Sequence, residues 1–303
     1  MKDIKNLKIS VHIPYYVSEN YIDKSKLFHK VCSSYLELSK NVEIFVHTNK
    51  KIKNYNKKIK FIYHNLNKIH PFKLTWVCRK LMLKQINFYD IFIYGEDDLV
   101  FTKKNLNYWL KNRDTCLTNG FNLGFLRVEK RKKNNLLYSS DQISKVKRYV
   151  FLDNKKFAKL ESSNSSFWIY AQNEIKKFSK TKYWNFNFKW VTVSGILLIR
   201  EMAAVGWHGE NMNGQYMDRY KATLIPIKKN KLINDSFIKH ISNNYANNPA
   251  GLFGSLKVNN LLSKKLTLFK KRTLFNNMIK RFNFCLYYLL RFNLKKFFFY
   301  KIL

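Results

Sequence analysis

Residues 89–98 read YDIFIYGEDD: an apolar run broken only by Asp90, then Gly95, then three consecutive acids, Glu96, Asp97 and Asp98. A short run rich in Ile, Phe and Tyr that ends at a glycine has the pattern of a buried strand. Acids are scarce in this chain, 19 against 57 Lys+Arg. Three adjacent carboxylates repel one another and cost stability unless a positive charge sits among them. A divalent cation with oxygen ligands, Mn2+ or Mg2+, answers that need. The competing reading is an acidic loop that caps the next helix, since Asp and Glu favour helix N-termini.

Outward from this run, strand and helix signals alternate. Residues 8–13 (KISVHI), 42–47 (VEIFVH) and 58–63 read as strands. Residues 23–39 carry Leu27, Val31, Tyr35 and Leu38 at helical spacing, and residues 72–87 read as a second helix. Alternating elements predict a parallel sheet covered on both faces, with ligands bound at the carboxyl ends of its strands. The acidic triplet stands at such an end. Further on, residues 121–129, 167–171 and 191–199 read as strands added to the first sheet, with a short helix over 201–205. An excursion at 130–160 is where an acceptor could be gripped. The expected fold is α/β.

The segment IFIYGEDDLVFTKKNLNYWL, residues 91–110, resembles the metal-binding segment of GT-A glycosyltransferases, in which an apolar strand ends in a DxD-type motif. Its EDD form is similar to the N-acetylglucosaminyltransferase branch of that fold, and residues 70–110 together resemble a group of bacterial glycosyltransferases. The resemblance implies a GT-A-like Rossmann-type sheet with helices on both faces. It makes Asp98 the metal ligand, with Glu96 and Asp97 contacting the ribose or ordering the site. An ion there would bridge the phosphates of a nucleotide-sugar and neutralise charge on the departing diphosphate.

GT-A enzymes often add a late His to the metal. Residues 235–248 (DSFIKHISNNYANN) supply His240, in a run similar to the closing HxxNNYA-like segment of the same bacterial group. Such a His is as often packed as ligating; imidazole suits Mn2+ better than Mg2+. The catalytic base, a carboxylate near the acceptor hydroxyl, falls on Glu210 in VGWHGENMN (residues 205–213), with Asp218 in reserve. Asn211 stands where the family pattern has a second acid. His12 and Thr48 at early strand ends, and Arg79 in the helix before the triplet, complete the expected donor contacts, Arg79 pairing with Glu96, Asp97 or the diphosphate. Trp168, Trp184, Trp190 and Trp207 are core residues or a sugar-stacking platform.

The formal charge of +38 has two sources to choose between: surface composition of the kind AT-rich coding produces, or attraction to polyanions. Cys32, Cys78, Cys116 and Cys285 form no CxxC pair, so reduced thiols in a cytoplasmic protein are expected. No uncharged apolar stretch is long enough to span a bilayer. The expected division is a catalytic domain over 1–258 and a basic amphipathic C-terminal tail over 259–303. From Asn259 to the end there is no acid. Lys280, Arg281, Arg291 and Lys295 fall on one helical side, with Phe282, Leu286, Leu289, Leu290 and Phe297 opposite. That pattern is either a helix lying on the inner face of the plasma membrane or one docked on the domain. The expected partners are a nucleotide-sugar donor, a glycan or lipid-linked acceptor and an anionic membrane surface.

Two other readings compete. A nucleic-acid-binding protein would explain the charge, but no RNP-type, zinc or helix-turn-helix signature accompanies it, so no nucleic-acid partner is expected. A nucleotidyltransferase would share the carboxylates, but it would carry a Gly-rich, Lys- or Arg-bearing loop after the first strand, where His12-Ile13-Pro14-Tyr15-Tyr16 stands.

Overall fold

The computed structural model describes residues 4–17, 25–52, 56–66, 71–162, 165–181, 184–185, 200, 203–204, 206, 223–248 and 253–269. Expectations for Glu210, Asp218, Trp190, Trp207, the 191–199 strand, most of the 201–205 helix and the tail beyond residue 269 lie outside them.

The first sheet is the one the sequence predicts. Strands β1 (Lys8–Tyr15), β2 (Asn41–Thr48), β3 (Ile59–Tyr63) and β4 (Ile91–Gly95) run parallel in the order β4-β1-β2-β3. Helices α1 (Ser25–Leu36) and α2 (Leu74–Gln85) are the crossovers. Alternate residues of β4 enter two different cores. Ile91 and Ile93 join Phe28, Val31 and Tyr35 of α1, whereas Phe92 and Tyr94 join Trp76, Cys78 and Met82 of α2. Both faces are thus covered, which is why β4 reads as a continuous apolar run rather than an alternating one. The architecture is a Rossmann-type α/β sheet.

The later strands do not all extend this sheet, contrary to expectation. After β5 (Leu99–Val100) and α3 (Lys103–Thr118), the chain forms β6 (Asn122–Leu123), β7 (Leu126–Lys130), β8 (Leu137–Ser139), β9 (Val146–Leu152) and β10 (Lys155–Lys159). Then come β11 (Phe167–Ala171), α4 (Gln172–Phe178), β12 (Thr223–Lys228), β13 (Lys231–Leu232), β14 (Phe237–His240), the single turn α5 (Asn244–Asn247) and β15 (Leu262–Leu268). Among these only β11 joins the first sheet, antiparallel to β4. A second sheet has the order β13-β12-β10-β9-β15, with β6 beside β12, and a third has the order β5-β14-β7-β8. Local turn chemistry explains the difference. Asp153-Asn154 and Lys229-Asn230 all have positive φ, as two-residue hairpins need, so β9 pairs with β10 and β12 with β13.

Strand β15 lies beyond the expected boundary at 258/259 and pairs in parallel with β9, so the described residues remain part of the second sheet through Phe269. Among the described residues no helix is long and apolar enough to cross a membrane. Cys32, Cys78 and Cys116 are free and buried, and burial pushes each thiol up to about 12, which leaves them unreactive.

Candidate active site

The triplet follows β4 at the carboxyl edge of the first sheet, and β5 leads straight on from it. Strand β5 pairs antiparallel with β14, Leu99 opposite His240, and the Ile241 N–H donates to the Asp98 carbonyl at 2.9 Å. This ladder brings two sequence-predicted residues together: Asp98 Oδ2 lies 2.8 Å from His240 Nε2. On the other side of the ring, His240 Nδ1 meets Glu129, a carboxylate fully sealed from solvent. The second Glu129 oxygen accepts the Ala246 N–H at the turn α5. Glu129 therefore fixes the imidazole from behind, and Tyr245 stacks on its face, centroids 5.6 Å apart.

Strand β7 carries Arg127 and Glu129 two positions apart, hence on one face, beside β14 in parallel. Arg127 forks onto the buried Asp141, donates to Ser166 Oγ at 3.0 Å and reaches Glu96 Oε2 at 3.4 Å. Its guanidinium also stands 5.5 Å from the Tyr245 ring centroid. Asn105 of α3 donates to the carbonyls of Asp235 and Phe237, securing the approach to β14. Asn243 adopts the left-handed conformation that asparagine tolerates, with φ 52°, and turns the chain after His240.

Electrostatics follow from these contacts. Burial alone pushes the His240 imidazolium down, but hydrogen bonds to Asp98 and Glu129 outweigh it and raise the group to about 9. Burial pushes the Asp98 carboxyl up, and the His240 and Ser242 hydrogen bonds overturn that and hold it below the usual carboxylate range. Glu96 goes the other way: burial and the nearby Asp98 charge raise it, against the pull of Arg127. Two acids of the triplet thus sit in opposite environments, Asp98 charged and Glu96 easier to protonate. Asp97 is half-buried.

Other expected donor contacts are corrected. His12 is completely buried, one ring nitrogen 3.0 Å from Gln85 Oε1 and the other 3.0 Å from His47 Nε2, so it meets no donor. Thr48 is also sealed, and its hydroxyl accepts the Lys50 N–H. Arg79 turns to backbone carbonyls. It is buried in α2, donates to the carbonyls of Trp184 and Ala203, and lies against Trp76, Phe178 and Trp184. Trp168 and Trp184, 2% exposed, are core and form no platform.

Arg127, Glu129, Asp141 and Tyr245 were not singled out from sequence. One signal was available: Arg127 and Glu129 alternate with the apolar Leu126 and Val128 on β7, and two charges among buried residues need partners.

No family model matches the chain, and no curated protein matches it. Solved structures give loose likenesses. Staphylococcus aureus TarS 1–349 is 14% identical, over 78% of this chain and 61% of that one, with a TM-score of 0.40. A 4-diphosphocytidyl-2C-methyl-D-erythritol synthase from Anaerococcus prevotii is 10% identical, over 73% and 92%, with a TM-score of 0.32. A CMP:2-keto-3-deoxy-manno-octonic acid synthetase complexed with CTP is 12% identical, over 57% and 78%, with a TM-score of 0.33. The chain spans only 61% of the length of the first of these, and its own activity does not follow from any of them.

Proposed function

We propose that this chain is a metal-dependent glycosyltransferase that moves a sugar from a nucleotide-sugar donor to a glycan or lipid-linked acceptor, in envelope polysaccharide synthesis. One observation carries the reading: Asp98 and His240 meet at 2.8 Å beside the carboxyl edge of a parallel sheet, with Glu129 behind the imidazole.

The pair suits a small divalent ion. Neighbouring ligands on one octahedral ion, each at about 2.1 Å, stand about 3 Å apart. A carboxylate on the far imidazole nitrogen is the usual outer support of a metal-bound His. Among the described residues no group of three His, Cys, Asp or Glu side chains is arranged to hold an ion by itself. Two protein ligands suit an ion that takes its remaining positions from water and a diphosphate, as Mg2+ does in nucleotide sites. When bound, Mn2+ or Mg2+ would supply Lewis-acid assistance to the leaving diphosphate.

The chain's own groups would do the rest. Asp98 and His240 would orient the donor, while Arg127 holds Glu96 toward the same edge. In the transfer the anomeric carbon–oxygen bond to the diphosphate breaks, a bond to the acceptor oxygen forms, and the acceptor proton passes to a carboxylate. Glu210 and Asp218 are the candidates for that carboxylate. Tyr245, 37% exposed and stacked on His240, offers a face on which a sugar could lie. The acid-free tail would add peripheral contact with the anionic inner face of the plasma membrane.

A thermal-shift panel of nucleotide-sugars with and without Mn2+ tests this reading. A rise in melting temperature for one donor, dependent on Mn2+ and lost in Asp98→Asn, is the expected result. If no donor shifts the wild-type protein, the proposal is wrong.

A further inference from the structure

Tyr149, Phe151 and Leu268 share one face of the second sheet. Leu268 of β15 lies opposite Tyr149 of β9, and Phe151 follows two residues on. Tyr149 and Phe151 meet edge to face at 5.4 Å, and the Lys156 ammonium lies 4.5 Å from the Tyr149 ring. A core would seal such a cluster, yet Phe151 is 57% and Leu268 50% exposed.

Register brings cations to the same end of the sheet. Strands β10 and β12 are antiparallel, so the Asp153-Asn154 turn of one hairpin and the Lys229-Asn230 turn of the other project together. Lys155, Lys228, Lys229 and Lys231 flank these turns, all exposed, with Asp153 the one acid between them. The described chain also leaves from this end. Strand β15 runs parallel to β9, Phe269 N–H donates to the Tyr149 carbonyl, and the sequence beyond contains no acid through residue 303.

We infer that this end of the second sheet docks on an anionic lipid bilayer, with Phe151 and Leu268 entering the interface and the hairpin lysines over the headgroups. The inference rests on the peripheral-membrane part of the proposed function and adds to it a contact on the folded body. Exposed aromatic and aliphatic side chains beside cations are what a bilayer surface rewards. Each lysine near an anionic leaflet strengthens partition about fivefold. A nucleic acid would use the same lysines but would leave Leu268 and Phe151 without an apolar medium to enter.

The test is co-sedimentation of the full chain with vesicles of phosphatidylcholine alone and with about one third phosphatidylglycerol, charge being the variable. Wild type is expected to bind the anionic vesicles only. Lys155→Glu, Lys228→Glu, Lys229→Glu and Lys231→Glu combined should weaken that binding at least about tenfold. Phe151→Ser should also weaken it, with an unchanged melting temperature in the absence of lipid. Wild-type binding retained in both variants would overturn the inference alone and leave the tail as the anchor. A lower melting temperature for Phe151→Ser with unchanged vesicle binding would mean that the cluster packs against the protein's own chain, and would overturn it too. A wild type that ignores all vesicles would sink the membrane part of the proposed function as well. Lysine-dependent binding to a random oligonucleotide in that case would make nucleic acid the partner.

Discussion

Arg127 holds both oxygens of Asp141, Nε at 3.0 Å and Nη2 at 2.6 Å, while Nη1 turns to Glu96 of the acidic triplet. The fork is buried at both ends, with each side chain 7% exposed. Removing one partner of such a pair leaves an unpaired charge in the interior. Asp141→Asn or Arg127→Met is expected to cost about 3–5 kcal/mol, read from urea unfolding. A replacement of both by apolar residues should recover most of that stability without recovering function, because Glu96 then loses its cation. If Asp141→Asn unfolds at the wild-type midpoint, the fork is not buried in solution.

Asp98→Asn and His240→Gln should abolish any Mn2+-dependent stabilisation by a nucleoside diphosphate, and His240→Gln should also lower the melting temperature because the sealed Glu129 loses its partner. Glu129→Gln should act more mildly, since it alters only the support of the imidazole: a loss of about 10–100-fold in metal affinity. Isothermal titration with Mn2+ in the presence of the nucleotide ranks the three. A Glu129 variant that binds as wild type does would remove the carboxylate from this role.

Three imidazoles form a ladder across β1, β2 and the residue after β3, with His47 Nδ1 2.9 Å from His64 Nε2 completing it. Burial drives His12 down to about 3, His47 well below the usual range and His64 lower than usual. The unfolded chain binds these protons as pH falls below about 6.5 and the folded chain does not, so the ladder's contribution to stability is complete above that value. It declines as pH drops from 6.5 toward 3, by about 1.4 kcal/mol per pH unit for each fully suppressed imidazole. Melting temperatures should fall steadily from about pH 6.5 to about 5.0, below the range in which protonation of His240 adds stability, and less steeply in His64→Gln. A flat profile would contradict the neutral ladder.

A methyl group on Gly95, the residue before the triplet, would stand 2.5 Å from Tyr35 Oη and 3.4 Å from the Phe167 ring. Gly95→Ala should destabilise by about 1–3 kcal/mol through overpacking. Among the described residues the Tyr35 hydroxyl has no hydrogen-bond partner, so Tyr35→Phe alone should be harmless. The double variant should regain much of the loss, because the next ring atom, Tyr35 Cζ, lies at 3.8 Å. Equal melting temperatures for Gly95→Ala with and without Tyr35→Phe would show that the clash is relieved elsewhere.

The first sheet was legible because doubly covered parallel strands write apolar runs such as residues 91–95 directly into sequence. Asp98 and His240 were legible as residue types in context, and β5 and β14 bring them together. The rest failed for identifiable reasons. A polar residue near a strand end reads the same whether it faces a cleft or a helix, and His12 and Thr48 face inward. For Arg79 nothing in the sequence pointed to the carbonyls of Trp184 and Ala203, because backbone acceptors leave no mark in the side-chain pattern. Glu129 and Arg127 were missed because their alternation on β7 shows that they need partners but not which, and the partners His240 and Asp141 stand outside that strand.

The β5–β14 ladder has a consequence for the order in which the molecule matures. Asp98 is synthesised long before His240, and only the zippering of β14 against β5 sets imidazole beside carboxylate. A contact so far apart in sequence costs loop-closure entropy before it gains anything. A nascent or nicked chain would therefore expose three bare acids with little grip on any ion, and competence would arrive only once the last strands have docked.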